Sequence, residues 1–177
     1  LKVEGLTKRF PGVVALDGVD LEARAGEVHA ICGENGAGKS TLIKMLTGAY
    51  TPDSGTINFE GQIYHGLTPR KAMGVGIACI YQELNLIPHL SVAENIFLGR
   101  EIYLAEKINV LDRKQMREKA AELLADLGLA ISPTARVGTL GVGHQQMIEI
   151  CRAMWSNAKL IIMDEPTSSL SEKEADD

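Results

Sequence analysis

The chain has 177 residues, of which 45% are hydrophobic and 23% charged, and a formal net charge of −5. That composition excludes a disordered chain and supports one domain with a sizeable core and room for a subdomain. The acidic balance gives no support to a nucleic-acid-binding surface, so no nucleic-acid partner is expected. No apolar run approaches the roughly 20 residues that span a bilayer. No signal peptide is visible, and the start at Leu1 rather than Met points to a trimmed or partial sequence. Cys32, Cys79 and Cys151 lie far apart among apolar neighbours. That pattern predicts reduced, buried thiols in a cytosolic protein rather than a disulfide frame or a zinc site.

Residues 1–32 read as β-rich. Val19, Leu21 and Ala23 alternate with Asp20, Glu22 and Arg24, the period of a half-buried strand. Ala25-Gly26 turns the chain into Val28, His29, Ala30, Ile31 and Cys32, which read as a buried strand. Gly33, Glu34, Asn35, Gly36, Ala37, Gly38, Lys39, Ser40 and Thr41 follow, in the spacing G-x-x-x-x-G-K-S of a phosphate-binding loop. Leu42, Ile43, Met45 and Leu46 then predict a helix closed by Gly48. The glycines let backbone N–H groups converge into an anion-binding nest, and the helix start adds its positive end. Lys39 is placed to reach the β- and γ-phosphates of a nucleotide, and Ser40 to ligate Mg2+.

Further along, residues 54–64 predict a hairpin turning at Glu60-Gly61. Thr68-Pro69 predicts a helix start. Ile77–Tyr81 reads as a buried strand ending at Gln82-Glu83. From residue 86 to 140 the chain reads as helical. Ser91 and Glu94 fit a capping box, and Asp112 caps a second helix. That helix carries Met116, Ala120, Leu123, Leu124 and Leu127 on one face, and Gly128 stops it. A third helix runs from about Gly143 to Trp155 with Met147, Ile150, Cys151 and Met154 on one side. Leu160–Met163 reads as a buried strand ending at Asp164-Glu165. A phosphate-loop enzyme requires acidic groups at the tip of a neighbouring strand. Asp164 is placed to hold Mg2+, and Glu165 to polarise the attacking water as general base.

These stretches carry a resemblance. Gly33 to Thr41, Tyr81 to Leu84, Leu140 to Gln146 and Leu160 to Thr167 stand in the order of an ABC transporter ATPase. Tyr81 to Leu84, Ser91 to Gly99, Gln145 to Ile150 and Asp164 to Ser168 resemble the ATP-binding subunits of bacterial monosaccharide importers. The resemblance covers essentially the whole chain. It implies an α/β fold: a P-loop NTPase with a RecA-like parallel sheet, an antiparallel β region and an inserted α-helical subdomain. Residues 1–85 and 141–177 would form the nucleotide-binding core, and residues 86–140 the helical subdomain that docks on membrane-spanning permease subunits. The resemblance places Phe10 against adenine. It makes Gln82 the sensor of Mg2+ and attacking water, and Ser168 to Ser171 the loop that communicates across an ATPase dimer. ATP and Mg2+ are the implied cofactors. A second ATPase module, fused or dimeric, is the implied partner, with a periplasmic sugar-binding protein acting indirectly. The implied location is the cytoplasmic face of the cell membrane.

Two departures qualify that picture. The signature segment, which acts on the other module's nucleotide, reads Leu140, Gly141, Val142, Gly143, His144. The family usually has Ser at the place of Gly141 and Gln at that of His144. Gly141 lacks a hydroxyl for the γ-phosphate, and one charge-assisted hydrogen bond is worth about 1.5–3 kcal/mol. The chain also stops at Asp177, before the strand and switch histidine that the family carries, so a module truncated at its C-terminus and weak in hydrolysis is expected. The reading is ATP hydrolysis that energises sugar import. Its rivals are a regulatory ATP-binding module with little turnover and a soluble ABC ATPase outside transport.

Overall fold

The computed structural model describes residues 1–105 and 109–164. The chain divides into two compact units, Leu1–Ile77 and the stretch from Ala78 onward.

The first unit is built on a four-stranded antiparallel sheet in the order β2-β1-β3-β4. Its strands are β1 (Lys2–Phe10), β2 (Val13–Glu22), β3 (Ser54–Phe59) and β4 (Gln62–Tyr64). Val3 and Leu6 of β1 are both buried although three residues apart. A register shift between them, at Gly5 with φ +58°, restores the inward direction. The Gly5 N–H donates to Asp20 Oδ1 at 2.7 Å, so the displaced amide is not left unpaired. The β3–β4 hairpin turns at Glu60-Gly61, both with positive φ, as the sequence predicts. Helix α1 (Lys39–Leu46) buries Leu42, Ile43, Met45 and Leu46. Helix α2 (Pro69–Val75) starts as expected, with the Thr68 side chain accepting the Lys71 N–H at 3.3 Å and Pro69 in the first turn.

One predicted element is missing. Residues 28–32 belong to no strand, and Val28 and Ile31 are exposed. A strand exists through the ladder on its flanks, and no described strand pairs with this segment. The apolar run supplied the composition of a strand but not its neighbours. Cys32 is accordingly exposed rather than buried.

The second unit holds α3 (Val92–Ile96), α4 (Arg113–Asp126) and α5 (Val142–Trp155) around one cluster. Val92, Ala93, Ile96 and Phe97 meet Met116, Ala120 and Leu124, with Ile148 and Cys151 from α5. Phe97 is fully buried and stands edge-on to Trp155, with ring centroids 4.7 Å apart. The capping box at Ser91/Glu94 and the Asp112 cap are both present, and Gly128 stands past the end of α4 in a left-handed conformation. The buried side of α5 differs from the expected one. Ile148 and Cys151 are buried with Gln146, Glu149 and Ala153, whereas Met154 is exposed. Apolar spacing alone missed the inward Glu149 and Gln146 because both are polar.

Strands β6 (Tyr103–Ala105) and β7 (Val110–Leu111) pair within a stretch that reads as helical. Strands β5 (Ile77–Ile80) and β8 (Leu160–Met163) form a two-stranded sheet. The Asp164 N–H donates to Ile80 O at 3.0 Å, so the two strands end side by side. β8 is half-buried, with Met163 exposed, instead of fully buried. Among the described residues neither strand of this pair has a further neighbour in its sheet. No described helix is long and apolar enough to cross a membrane.

Candidate phosphate-binding site

The loop before α1 is an exposed backbone surface from Gly33 to Ala37. Lys39 folds over it: its ammonium donates to Gly33 O at 2.6 Å and Glu34 O at 3.0 Å. The Ala37 N–H closes the turn on Glu34 O at 3.1 Å. Gly36 and Gly38 both have positive φ, +87° and +92°. At Gly38 the requirement is also steric, since a Cβ would stand 2.6 Å from Ala15 O and 2.7 Å from Leu16 Cδ2. Strand β2 thus presses directly on the last residue before the helix. Lys39, Ser40 and Thr41 form the first turn of α1, with Ser40 exposed.

The helix starts differ in kind. α2, α3 and α4 each begin with an oxygen-bearing side chain, from Thr68, Ser91 and Asp112, that accepts a first-turn N–H. α1 begins at Gly38 and α5 at Gly141, and neither has a side-chain cap or an acidic residue in its first turn. First-turn amides left without an internal partner are donors for an anion, reinforced by the helix dipole. At α1 the Lys39 ammonium is added to those donors. The donor set fits a polyphosphate: backbone N–H groups, one ammonium group and a hydroxyl at Ser40 able to ligate a hard cation. The family model described as "ABC transporter" matches residues 16–168.

The chain belongs to the ABC transporter family. It is 55% identical over 178 residues to the ribose import ATP-binding protein RbsA 1 of Streptomyces avermitilis, covering 99% of this chain and 33% of that protein. It is 51% identical over 174 residues to a putative ribose/galactose/methyl galactoside import ATP-binding protein of Burkholderia cenocepacia, covering 98% of this chain and 33% of that one. The chain therefore spans about one third of the length of these curated relatives. Among solved structures, a nucleotide-free ATP-binding cassette from an ABC transporter superposes with a TM-score of 0.83 at 31% identity, over 98% of this chain and 72% of that one. The α/β, P-loop NTPase fold class follows from that likeness.

Other family positions can be located one by one. Phe10 ends β1 half-buried, edge-on to Tyr50 at 5.4 Å. The Lys8 ammonium stands 5.6 Å from the Phe10 ring centroid and binds Thr51 O and Asp53 Oδ1. Asp53 also accepts the Arg9 N–H at 2.6 Å, and this bond, with Lys8, holds its carboxyl below the usual range. Sequence reasoning missed Tyr50, Lys8 and Asp53, because the approach of residues 8–10 to residues 50–53 has no local signal.

In the second unit Gln82 is exposed at the bend after β5, and Asp164 is half-buried at the end of β8. Cys79 of β5 is a neighbour of Asp164. Burial pushes its thiol up to about 11, Asp164 and Glu149 push the same way, and Tyr81 opposes them. Glu165 and the Ser168–Ser171 stretch lie outside the described residues. In the signature segment Leu140 O accepts the Gln145 side-chain amide at 2.8 Å. Gly141 is the N-cap of α5, Val142 and His144 are exposed, and Gly143 is half-buried. The Gly141 backbone is extended, with φ −62° and ψ 158°. A serine adopts that conformation without strain, so nothing in the backbone demands glycine there.

Proposed function

We propose that this chain is the N-terminal ATPase module of the ATP-binding subunit of a monosaccharide importer. The observation that carries the proposal is the glycine-headed start of α1, with Lys39 folded onto the open backbone of residues 33–37. The names of the ribose- and galactose-import relatives support the transport assignment.

Residues 33–41 bind the triphosphate through backbone N–H groups. Lys39 exchanges its two carbonyl partners for β- and γ-phosphate oxygens, and Phe10 packs on the base. Ser40, Gln82 and Asp164 would hold Mg2+, which would neutralise charge on the phosphates. Glu165 takes the proton of the attacking water. Leu140 to His144, at the start of α5, face the nucleotide of a second ATPase module. Residues 1–85 and 141–177 serve as nucleotide-binding core, and residues 86–140 dock on the membrane-spanning permease subunits. The site of action is the cytoplasmic face of the membrane, with a sugar-binding protein delivering substrate from the other side.

The test is Mg-ATP binding and turnover by the full-length protein and its Lys39→Ala variant. Loss of binding is expected for the variant; undiminished affinity would overturn the proposal. A second reading, a regulatory module that binds ATP with little turnover, is favoured by the missing hydroxyl at Gly141. Single-turnover measurements separate the two: hydrolysis of bound ATP within one dimer cycle supports the transporter motor, and persistent bound ATP supports regulation. Glu165→Gln should trap ATP, and unchanged turnover would remove Glu165 as the base.

A further inference from the structure

The segment that follows Gln82 is held by its backbone, from one side, by helix α5. Glu149 is 6% exposed, and its Oε1 accepts the Asn85 N–H at 2.9 Å. One turn later on the same helix, Arg152 donates from Nη1 to Asn85 O at 3.2 Å. The two side chains, three residues apart and so on one face, grip the N–H and the C=O of a single residue. Two residues on, the buried Asn95 of α3 holds Ile87 in the same manner, accepting its N–H at 2.7 Å and donating to its C=O at 3.1 Å. Between the end of β5 at Ile80 and the grip on Asn85 only four residues remain, and Gln82 is one of them.

Packing alone does not call for this arrangement. A carboxylate in a buried position carries a desolvation cost that an apolar residue avoids. Burial indeed pushes the Glu149 carboxyl above its ordinary value, against the opposing pull of the Asn85 N–H and Arg152. What the charged pair provides is directional control of one peptide unit. α5 is also the helix that begins at Gly141, so the grip ties the segment carrying Gln82 to the helix carrying the signature.

We propose that Glu149 and Arg152 are positioning residues for ATP hydrolysis: by clamping the Asn85 backbone they set where Gln82 stands and make it move with α5. The proposal rests on the ATPase reading above and names a coupling element within it.

The experiment uses the full-length protein assembled with its membrane subunits. Glu149→Ala, Glu149→Gln and Arg152→Ala are measured alone and combined with Gln82→Ala. Misplacing a positioned group costs on the order of 10- to 100-fold in rate. Glu149→Ala is therefore expected to lower kcat by about that factor, with KM for ATP changed less than about twofold. It should also raise the Mg2+ concentration for half-maximal rate. Glu149→Gln keeps an acceptor oxygen and should recover most of the rate. Because the clamp acts through Gln82, the Gln82→Ala/Glu149→Ala double variant should be no slower than Gln82→Ala alone. Additive losses in the double variant, or wild-type kcat in Glu149→Ala, would overturn the proposal. If Glu149→Ala does not fold, Arg152→Ala, which leaves the buried carboxylate in place, enters the same cycle with the same two outcomes. Failure of the ATPase reading has its own signature: a wild-type protein without Mg-ATP turnover, or a Lys39→Ala variant at full rate.

Discussion

The helix starts at Ser91 and Asp112 and those at Gly38 and Gly141 solve the same problem in opposite ways. Ser91 and Asp112 satisfy first-turn amides from within the chain, with bonds from Glu94 N–H to Ser91 Oγ at 3.2 Å and from Gln115 N–H to Asp112 Oδ1 at 2.8 Å. Those helices serve the packing of Phe97, Met116 and Leu124. At Gly38 and Gly141 no side chain fills that role. The difference teaches that self-satisfied helix ends hold the molecule together, while the unsatisfied ones are the ends at which we propose that phosphate is recognised. Substitutions of the capping side chains should move stability and leave nucleotide affinity alone, and substitutions at Lys39 and Gly141 should do the reverse.

The largest expected effect lies under the capped helices. Phe97→Ala removes a fully buried ring and its edge contact with Trp155. It should cost about 3–5 kcal/mol, read as a fall in the denaturant midpoint of the full-length protein. A loss below about 1 kcal/mol would show that this cluster does not carry the second unit. Next, Lys39→Ala should weaken Mg-ATP binding and with it lower ATP turnover on the order of 10²–10³-fold, the cost of one lost charged donor to the phosphates, with the melting temperature little changed. A large fall in stability instead would mean that the bonds to Gly33 and Glu34 are structural.

Gly141→Ser sharpens the contrast, because serine is both an N-cap and a γ-phosphate donor. As a cap it should add only a few tenths of a kcal/mol. As a donor to the partner module's nucleotide it should add about 1.5–3 kcal/mol, seen as faster turnover at the partner's site. No gain there would count against a trans role for this segment.

The smallest effects belong to the capping box. Ser91→Ala should destabilise by about 0.5–2 kcal/mol without altering ATP binding. The Ser91 N–H and hydroxyl hold the Glu94 carboxyl below its ordinary 4.5. A carboxylate lowered in the folded state contributes stability that is present above 4.5 and lost as pH falls through the folded value. The stability gap between wild type and Glu94→Ala should therefore be open at neutral pH and close on acidification below 4.5, and a gap independent of pH would rule the capping role out.

Much of the molecule is legible locally. The turn at Glu60-Gly61, the caps at Thr68, Ser91 and Asp112, and the glycine at 128 all appear where the sequence predicts them. Each depends on contacts within about four residues, which a linear reading sees. The phosphate loop is legible for the same reason, since its donors are consecutive amides and its cation follows directly. The strand expected at residues 28–32 and the pairing of Tyr103–Ala105 with Val110–Leu111 show the opposite case. Whether an apolar run becomes a strand depends on a neighbour elsewhere.

By itself, then, the amino-acid order marked the capped helix starts at Thr68, Ser91 and Asp112 and the spacing of a phosphate-binding loop before Lys39. Only the tertiary structure decided that Tyr50 meets Phe10, that a polar Asn95 is fully buried, and that Glu149 reaches across 64 residues to the Asn85 amide. The physical reason is range. Backbone conformation and capping are settled among adjacent residues, whereas a buried charge is tolerable only where the folded chain brings it a partner.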